Sequence, residues 1–310
     1  MKRNKATKLG SESQKEKTRS KGVSQWNIAW RRFKKNKAAL AGALIIGFVI
    51  FLAAFDSLIA PYPPNDIPGF IIGETRVPPS LKYLFGTDYV GHDVFSQVVY
   101  GAKSALYVGF GSAAIAMSLA VLVGLVSGYY GGIIDNILMR ITEIFLVIPF
   151  LLILLVFLRV ITAVVPSGVG GLSMVMIMIG IFSWAPNARI IRGEVLRVKE
   201  SEFIEASKAL GASKRRIIFR HVFPNVLHII IVLTTLMIAT AILVEAAVSF
   251  LGFGDAASIT WGQQLQLANE AVKEAWWEGV FPGLFITLLV LGFNLVGNGL
   301  RDALDPRLRE

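Results

Sequence analysis

The 310-residue chain has no cysteine. That excludes a disulfide framework, an iron–sulfur cluster and a thiolate nucleophile, and it leaves the redox compartment open. Histidine is scarce. His92, His221 and His228 are the three in the chain, and they form no metal-ligand cluster; no HExxH pair occurs either. No GxxxxGK[ST] phosphate loop is present, so the chain is not expected to hydrolyse ATP by itself. Charge is sparse as well. Asp, Glu, Lys and Arg make up 17% of the residues against 54% hydrophobic ones, and the mean hydropathy is +0.61. The apolar residues come in long runs rather than at amphipathic spacing, which is the pattern of a membrane protein.

The little charge present is uneven in sign, with 31 Lys and Arg against 21 Asp and Glu and a net charge of +10. Its placement separates two readings. A nucleic-acid surface gathers cations on one folded face, whereas a membrane protein keeps them beside its cytoplasmic span ends. Residues 1–37 form a basic tail with thirteen Lys and Arg, the part before about Gly22 having a disordered composition. Trp26, Ile28, Trp30 and Phe33 among Arg31, Arg32, Lys34 and Lys35 suggest either a short interfacial amphipathic helix or a flanking basic cluster.

Six spans are expected: 38–60, 105–129, 141–165 with Pro149 inside, 168–191 interrupted by Pro186, 226–250 and 280–300. The first is long for a signal peptide and is read as an uncleaved helix. Turns fall at Gly131-Gly132 and Pro166-Ser167-Gly168. The connection 61–104 carries Pro61, Pro63, Pro64, Pro68, Pro78 and Pro79 and is long for a helix connection. It is expected to fold against the outer face. An even number of spans puts both termini on one side. Under that arrangement the tail, Arg140, nine cations from Arg189 to Arg220 and three after residue 300 share a side. Only Arg76, Lys82, Lys103, Lys273 and Arg159 remain for the other. The asymmetry predicts a multi-pass protein of the cytoplasmic membrane with both termini cytoplasmic, and it accounts for the net charge without nucleic acid.

One segment interrupts the apolar runs: EASKALGASKRRIIFRHVFP, Glu205 to Pro224. Ser201 is a suitable N-cap, and Glu202 and Glu205 suit a first turn. Phe203, Ala206 and Leu210 fall near one face. Gly211 supplies a stop, Ser213 a second cap, and Pro224 marks entry to the fifth span. The unit reads as helix, glycine turn, helix outside the bilayer. A solvated loop is the bland alternative. Against it stand the caps, the small residues Ala206, Ser207, Ala209 and Ala212, and an apolar face with little to pack on in this chain. A short helix of this kind is marginal alone and is stabilised by a partner groove.

Glu205-Ala206-Ser207-x3-Gly211-x9-His221-x-Phe223-Pro224 resembles the EAA loop of ABC-importer membrane subunits, EAA-x3-G-x9-I-x-L-P. Ser207, His221 and Phe223 stand where that pattern has Ala, Ile and Leu. Phe85-Gly86-Thr87-Asp88-x2-Gly91-x-Asp93-Val94-x-Ser96 is similar to the outer loop of the "C" permeases of dipeptide/oligopeptide importers, with His92 in place of the usual Arg. Ser249 to Gly254, Trp261-Gly262, Pro282-Gly283, Phe293-Asn294-Leu295 and Gly299 to Arg307 look like the same subfamily, with Asn298 where Asp is frequent. The likeness covers nearly everything after about residue 25.

The resemblance implies an all-α membrane protein with the six-helix type I ABC importer permease fold, a cytoplasmic coupling helix and an ordered outer loop. Its divisions are the tail 1–37, the first helix and outer loop 38–104, a five-helix core 105–300 containing the coupling loop 199–224, and the C-terminus 301–310. It implies peptide import by alternating access. The partners are a homologous second permease, two ATPase subunits that bind ATP and Mg, an extracellular or periplasmic peptide-binding protein, and the lipid bilayer. Glu205, Ala206, Ser207, Leu210, Gly211 and Pro224 are the coupling residues it points to. The chain itself is expected to hold no catalytic residue, cofactor or metal.

Glu245 and Asn294 are polar groups within spans, each either on a substrate path or in a structural hydrogen bond. Arg159 is expected to snorkel. Asp88 and Asp93 suit turn stabilisation better than a metal, since no third ligand accompanies them. Gly124-x3-Gly128 permits close helix packing, and Trp276-Trp277 suits an aromatic belt. A secondary transporter is the rival from another class, but it predicts internal repeats and several buried ionisable groups that are not seen. An intramembrane hydrolase lacks its paired groups. Nickel complexes, glutathione and antimicrobial peptides are alternative cargoes for the same machinery.

Overall fold

The computed structural model describes residues 25–64, 66–69, 73–164, 171–269, 271 and 273–304. The tail before residue 25, the turn Pro166-Ser167-Gly168 and the segment from residue 305 lie outside the described residues. Among the described residues twelve helices run in order: α1 Gln25–Lys35, α2 Lys37–Ala54, α3 Asp56–Ile59, α4 Val94–Tyr130, α5 Gly132–Val147, α6 Phe150–Val164, α7 Gly171–Phe182, α8 Ala185–Lys199, α9 Glu202–Ala209, α10 Lys214–Phe250, α11 Trp261–Ala268 and α12 Trp276–Leu304. No named strand occurs among the described residues.

Four of these helices are each long and apolar enough to cross a membrane: α2, α4, α10 and α12. The count is six if α5 with α6, and α7 with α8, each form one broken span. The two breaks differ because their prolines sit differently. α5 and α6 bend by 86° at Ile148-Pro149. Ile148 is pushed to an extended ψ of 129°, as a residue before proline tends to be. α7 and α8 bend by only 42°. Pro186 lies in the first turn of α8, where its missing N–H leaves no intrahelical bond unmade.

Several boundaries move from those expected. α4 begins at Val94, not near residue 105, because Asp93 caps it; the carboxylate accepts from the Ser96 backbone at 2.8 Å. Val94, Val98, Val99, Ala102 and Ala105 then bury one face above the apolar run. The first span ends at Ala54, and a short helix follows from Asp56. The helix entering the fifth span is continuous. Residues Ile218–Val222 form a π turn in which the Phe223 N–H reaches Ile218 O, so Pro224 follows without a break. The Asn225 side chain donates to His221 O at 2.6 Å, satisfying a carbonyl beside the proline.

The core runs along α4, which packs on α8, α10 and α7. Gly124 and Gly128 are what let α8 approach: a Cβ on either would sit 2.8 Å from Ile191 or Val195 side-chain carbons. α2 packs on α12. Of the two readings of the basic segment before the first span, the helix is the one seen. Ala29 and Phe33 of α1 are buried against Ala39 and Ala303, while Trp30 is exposed with Lys34 over its ring.

Candidate functional site

The charged island consists of α9, a glycine turn and the first turns of α10. Gly211 has φ +76°, its N–H bonds Lys208 O, and the Ala212 N–H bonds Ser207 O. Those two bonds and the left-handed glycine make a Schellman stop. Ser213 then caps α10 by accepting from the Arg216 N–H at 3.4 Å. Ser201 does not cap α9 with its side chain. Its hydroxyl turns back to donate to Val198 O at 2.5 Å, tying the island to the end of α8.

The island has two apolar faces. Ile204 is 0% exposed and, with Ile217, Ile218 and Val222, joins the same core as Val195, Val198 and Tyr129. Sequence reading missed Ile204. It stands one position from Phe203, on the other side of the same short helix. The face chosen from Phe203, Ala206 and Leu210 points away from the protein: Phe203 is 45% and Leu210 89% exposed, and on α10 Phe219 is 63% exposed as well. Glu205 and Ala206 are exposed beside it. The Ser207 hydroxyl donates to Phe203 O at 2.7 Å, so it serves its own helix. Pro224 is exposed two residues beyond the π turn.

Ion pairs brace the helices on which the island is mounted. Arg192 of α8 meets Asp135 of α5 with both nitrogens, Nε at 2.6 Å and Nη2 at 2.5 Å. Such a two-point contact fixes orientation as well as distance. Arg189 reaches Glu143 at 3.6 Å, and Glu194 bonds Arg197. Lys199 and Lys214 lie over the rings of Tyr129 and Tyr130 at 5.9 and 5.8 Å. The island's buried residues thus share one core with α4 and α8, and an ion pair ties α8 to α5.

At the other end of the molecule the outer loop is held by its motif residues. Asp88 Oδ1 accepts from the backbone of Val90, Gly91 and His92 at 2.9, 2.7 and 2.8 Å, and Oδ2 lies 2.8 Å from His92 Nδ1. That pairing pushes the His92 pKa up. The Asp93 carboxylate takes both the Ser96 N–H and its hydroxyl, the latter at 2.6 Å. Burial pushes the Asp93 carboxyl up from its usual range. Thr87 O accepts from Trp277 Nε1 at 3.1 Å, and Phe85 stacks on Phe281 at 3.8 Å. These contacts join the loop to the start of α12. Both aspartates therefore act in turns and caps, and Trp277 is a buried anchor rather than a belt residue; Trp276 is exposed.

Glu245 and Asn294 are not brought together with the island. Glu245 is buried under α11 and accepts from the Ser249 hydroxyl at 2.7 Å. Asn294 donates to Val290 O of its own helix at 2.9 Å. Each makes its hydrogen bond within its own helix.

Comparison with known proteins agrees with this architecture. The family described as "Binding-protein-dependent transport system inner membrane component" matches residues 120–310, and "N-terminal TM domain of oligopeptide transport permease C" matches residues 24–79. The dipeptide transport system permease protein DppC of Bacillus subtilis is 40% identical over 292 residues, 93% of this chain and 87% of the relative. The oligopeptide transport system permease protein OppC of the same organism is 38% identical, covering 95% of this chain and 94% of the relative. The glutathione transport system permease protein GsiD of Escherichia coli is 38% identical over 92% of this chain and 91% of the relative. Among solved structures, an inward-facing MetNI methionine ABC transporter shares the fold, with a TM-score of 0.54 and 24% identity over 68% of this chain and 97% of that one. The chain is a member of the binding-protein-dependent transport system inner membrane component family, of the permease C type.

Proposed function

We propose that this permease is one of two membrane subunits of an ATP-driven importer of short peptides, working by alternating access in the cytoplasmic membrane. Its island is the docking element for an ATPase subunit. The observation that carries this is the outward face of Phe203, Leu210 and Phe219 on a unit whose inward face is locked into the helix bundle. An apolar helix face of this size is stable when a groove covers it. Glu205, Ala206, Ser207, Leu210, Gly211 and Pro224 form or shape the docking unit.

ATP and Mg belong to two separate ATPase subunits, a homologous permease completes the pathway, and a peptide-binding protein delivers cargo outside. The cation asymmetry supports a cytoplasmic island with both termini on the same side. Differential contact of the ATPases with α9 in open and closed states would shift the bundle between two arrangements. Peptide cargo follows from the dipeptide and oligopeptide relatives. Glutathione is the second reading, since that relative is as similar as the oligopeptide one.

The test is purification of the chain with its natural partners and measurement of ATP hydrolysis with dipeptides, longer peptides and glutathione. Stimulation by peptides supports the proposal. Stimulation by glutathione alone moves the cargo, and transport by the chain alone without ATP removes the importer reading.

A further inference from the structure

A cleft of about 230 Å³ opens on the outer side between the outer loop, the segment before α11, α11 itself and the first turn of α12. It has room for several waters or a small organic group. Its lining includes Asp88, His92, Gln264 and Glu278 and, among the described residues, no Lys or Arg.

The hydrogen-bonding inventory of this lining is lopsided. Asp88 is fully occupied by three backbone N–H groups and His92. Glu278 is only 4% exposed, and its buried Oε1 receives no hydrogen bond. Arg76 Nε stands 3.6 Å from that oxygen, beyond hydrogen-bond reach, and the same guanidinium also faces Glu274 at 3.8 Å. Gln264 spends its Nε2 on Gln97 O at 2.9 Å, and its buried Oε1 is likewise without a donor. Buried acceptors are normally satisfied, so two empty ones on one cleft ask for a ligand that only donates. A ligand that only accepts finds no donor at these two atoms. A primary ammonium offers three donors and no acceptor.

We propose that this cleft binds a primary ammonium group through Glu278 and Gln264, and that in the transporter the group is the free amino end of the incoming peptide. The assignment of the source rests on the peptide reading; the ammonium chemistry rests on the cleft alone. The site would receive cargo on the outer face, distant from the island, and would favour an uncapped N-terminus.

Titration calorimetry on the full chain in lipid nanodiscs tests this with three probes: Ala-Ala, N-acetyl-Ala-Ala and propylammonium. The expected result is binding of Ala-Ala and propylammonium, with N-acetyl-Ala-Ala at least tenfold weaker. Glu278→Gln should weaken both amines at least tenfold, and Gln264→Leu severalfold. The acetylated and free peptides are compared on the unaltered chain, so the outcome does not depend on a variant folding. Equal binding of the two peptides overturns the proposal, as does unchanged affinity in a Glu278→Gln chain that melts like the parent. Propylammonium binding without Ala-Ala binding overturns the assignment to cargo. If no amine binds while the assembled complex still shows peptide-stimulated ATP hydrolysis, the cleft assignment falls and the importer reading stands. If amines bind while peptides leave ATP hydrolysis unchanged, the reverse holds.

Discussion

Gly211 gives the sharpest handle on the island. Its φ of +76° lies in the left-handed region, and a Cβ added there meets nothing within 4 Å. A substitution is therefore felt through the backbone angle and not through packing. For alanine the left-handed conformation costs roughly 1–2 kcal/mol, a factor of about 5–30 in the population of the turn. Asparagine tolerates this angle better and should cost less. Proline cannot adopt it, since its ring fixes φ near −65°. It also deletes the N–H that bonds Lys208 O at 2.9 Å and pushes Leu210 out of the helical region. The expected order of function is Gly, Asn, Ala, Pro.

Two assays read it. Hydrogen exchange at the Ala212 amide, bonded to Ser207 O, should quicken about 5–30-fold in Gly211→Ala. Peptide uptake per ATP hydrolysed in proteoliposomes should fall in the same order while membrane insertion is unaffected. An order set by side-chain size, with Asn worse than Ala, would refute the backbone argument. A proline variant coupled like the parent would remove the island's role altogether.

Other positions carry their own expectations. Ile204→Ala should lower stability by about 2–5 kcal/mol, or release α9 locally, because the side chain is wholly buried; exchange across Glu202–Ala209 separates the two forms of the loss, and an unchanged melt with unchanged exchange counts against the anchor. Gly128→Leu drives side-chain atoms against Val195 and Arg192 O, the latter 3.0 Å from the new Cβ, and should lower the melting temperature through about 1–3 kcal/mol of overpacking. His92 is raised by Asp88, so its contribution to the outer loop is fully present below the ordinary histidine range near about 6.5 and is lost as pH rises through the higher folded value. Exchange at the Val90 and Gly91 amides should quicken over that rise, and His92→Gln should flatten the dependence; a loop that tightens as pH rises would contradict the pairing.

What was legible in the sequence follows from local rules. Gly211 and Ser213 act through their own backbone neighbours, so their residue types announced the turn and the cap. The long apolar runs announced α2, α4, α10 and α12 for the same reason. Tertiary context decided the rest. Ser201 suits a cap, yet the end of α8 lies within reach and its hydroxyl goes to Val198 O instead. Pro224 marks the entry to the fifth span, yet one widened turn lets the helix run through it. Pro149 and Pro186 look alike in sequence; the first bends its helix pair by 86° and the second by 42°, according to the turn each occupies.

Ile204 was hidden because a short helix with apolar residues on two sides does not say which side faces its own protein. The cleft acceptors Gln264 and Glu278 stand fourteen positions apart, and only the fold brings them to one cleft.

The coupling role of the island is tested most directly by crosslinking a cysteine at exposed Leu210 to cysteines across the ATPase subunit in the assembled complex, with and without ATP. The chain has no native cysteine to interfere. Efficient crosslinking to one groove, varying with ATP and abolished together with coupled uptake by Gly211→Pro, is the predicted result. A Leu210 position that crosslinks to no ATPase residue in a complex that still imports peptides would contradict it.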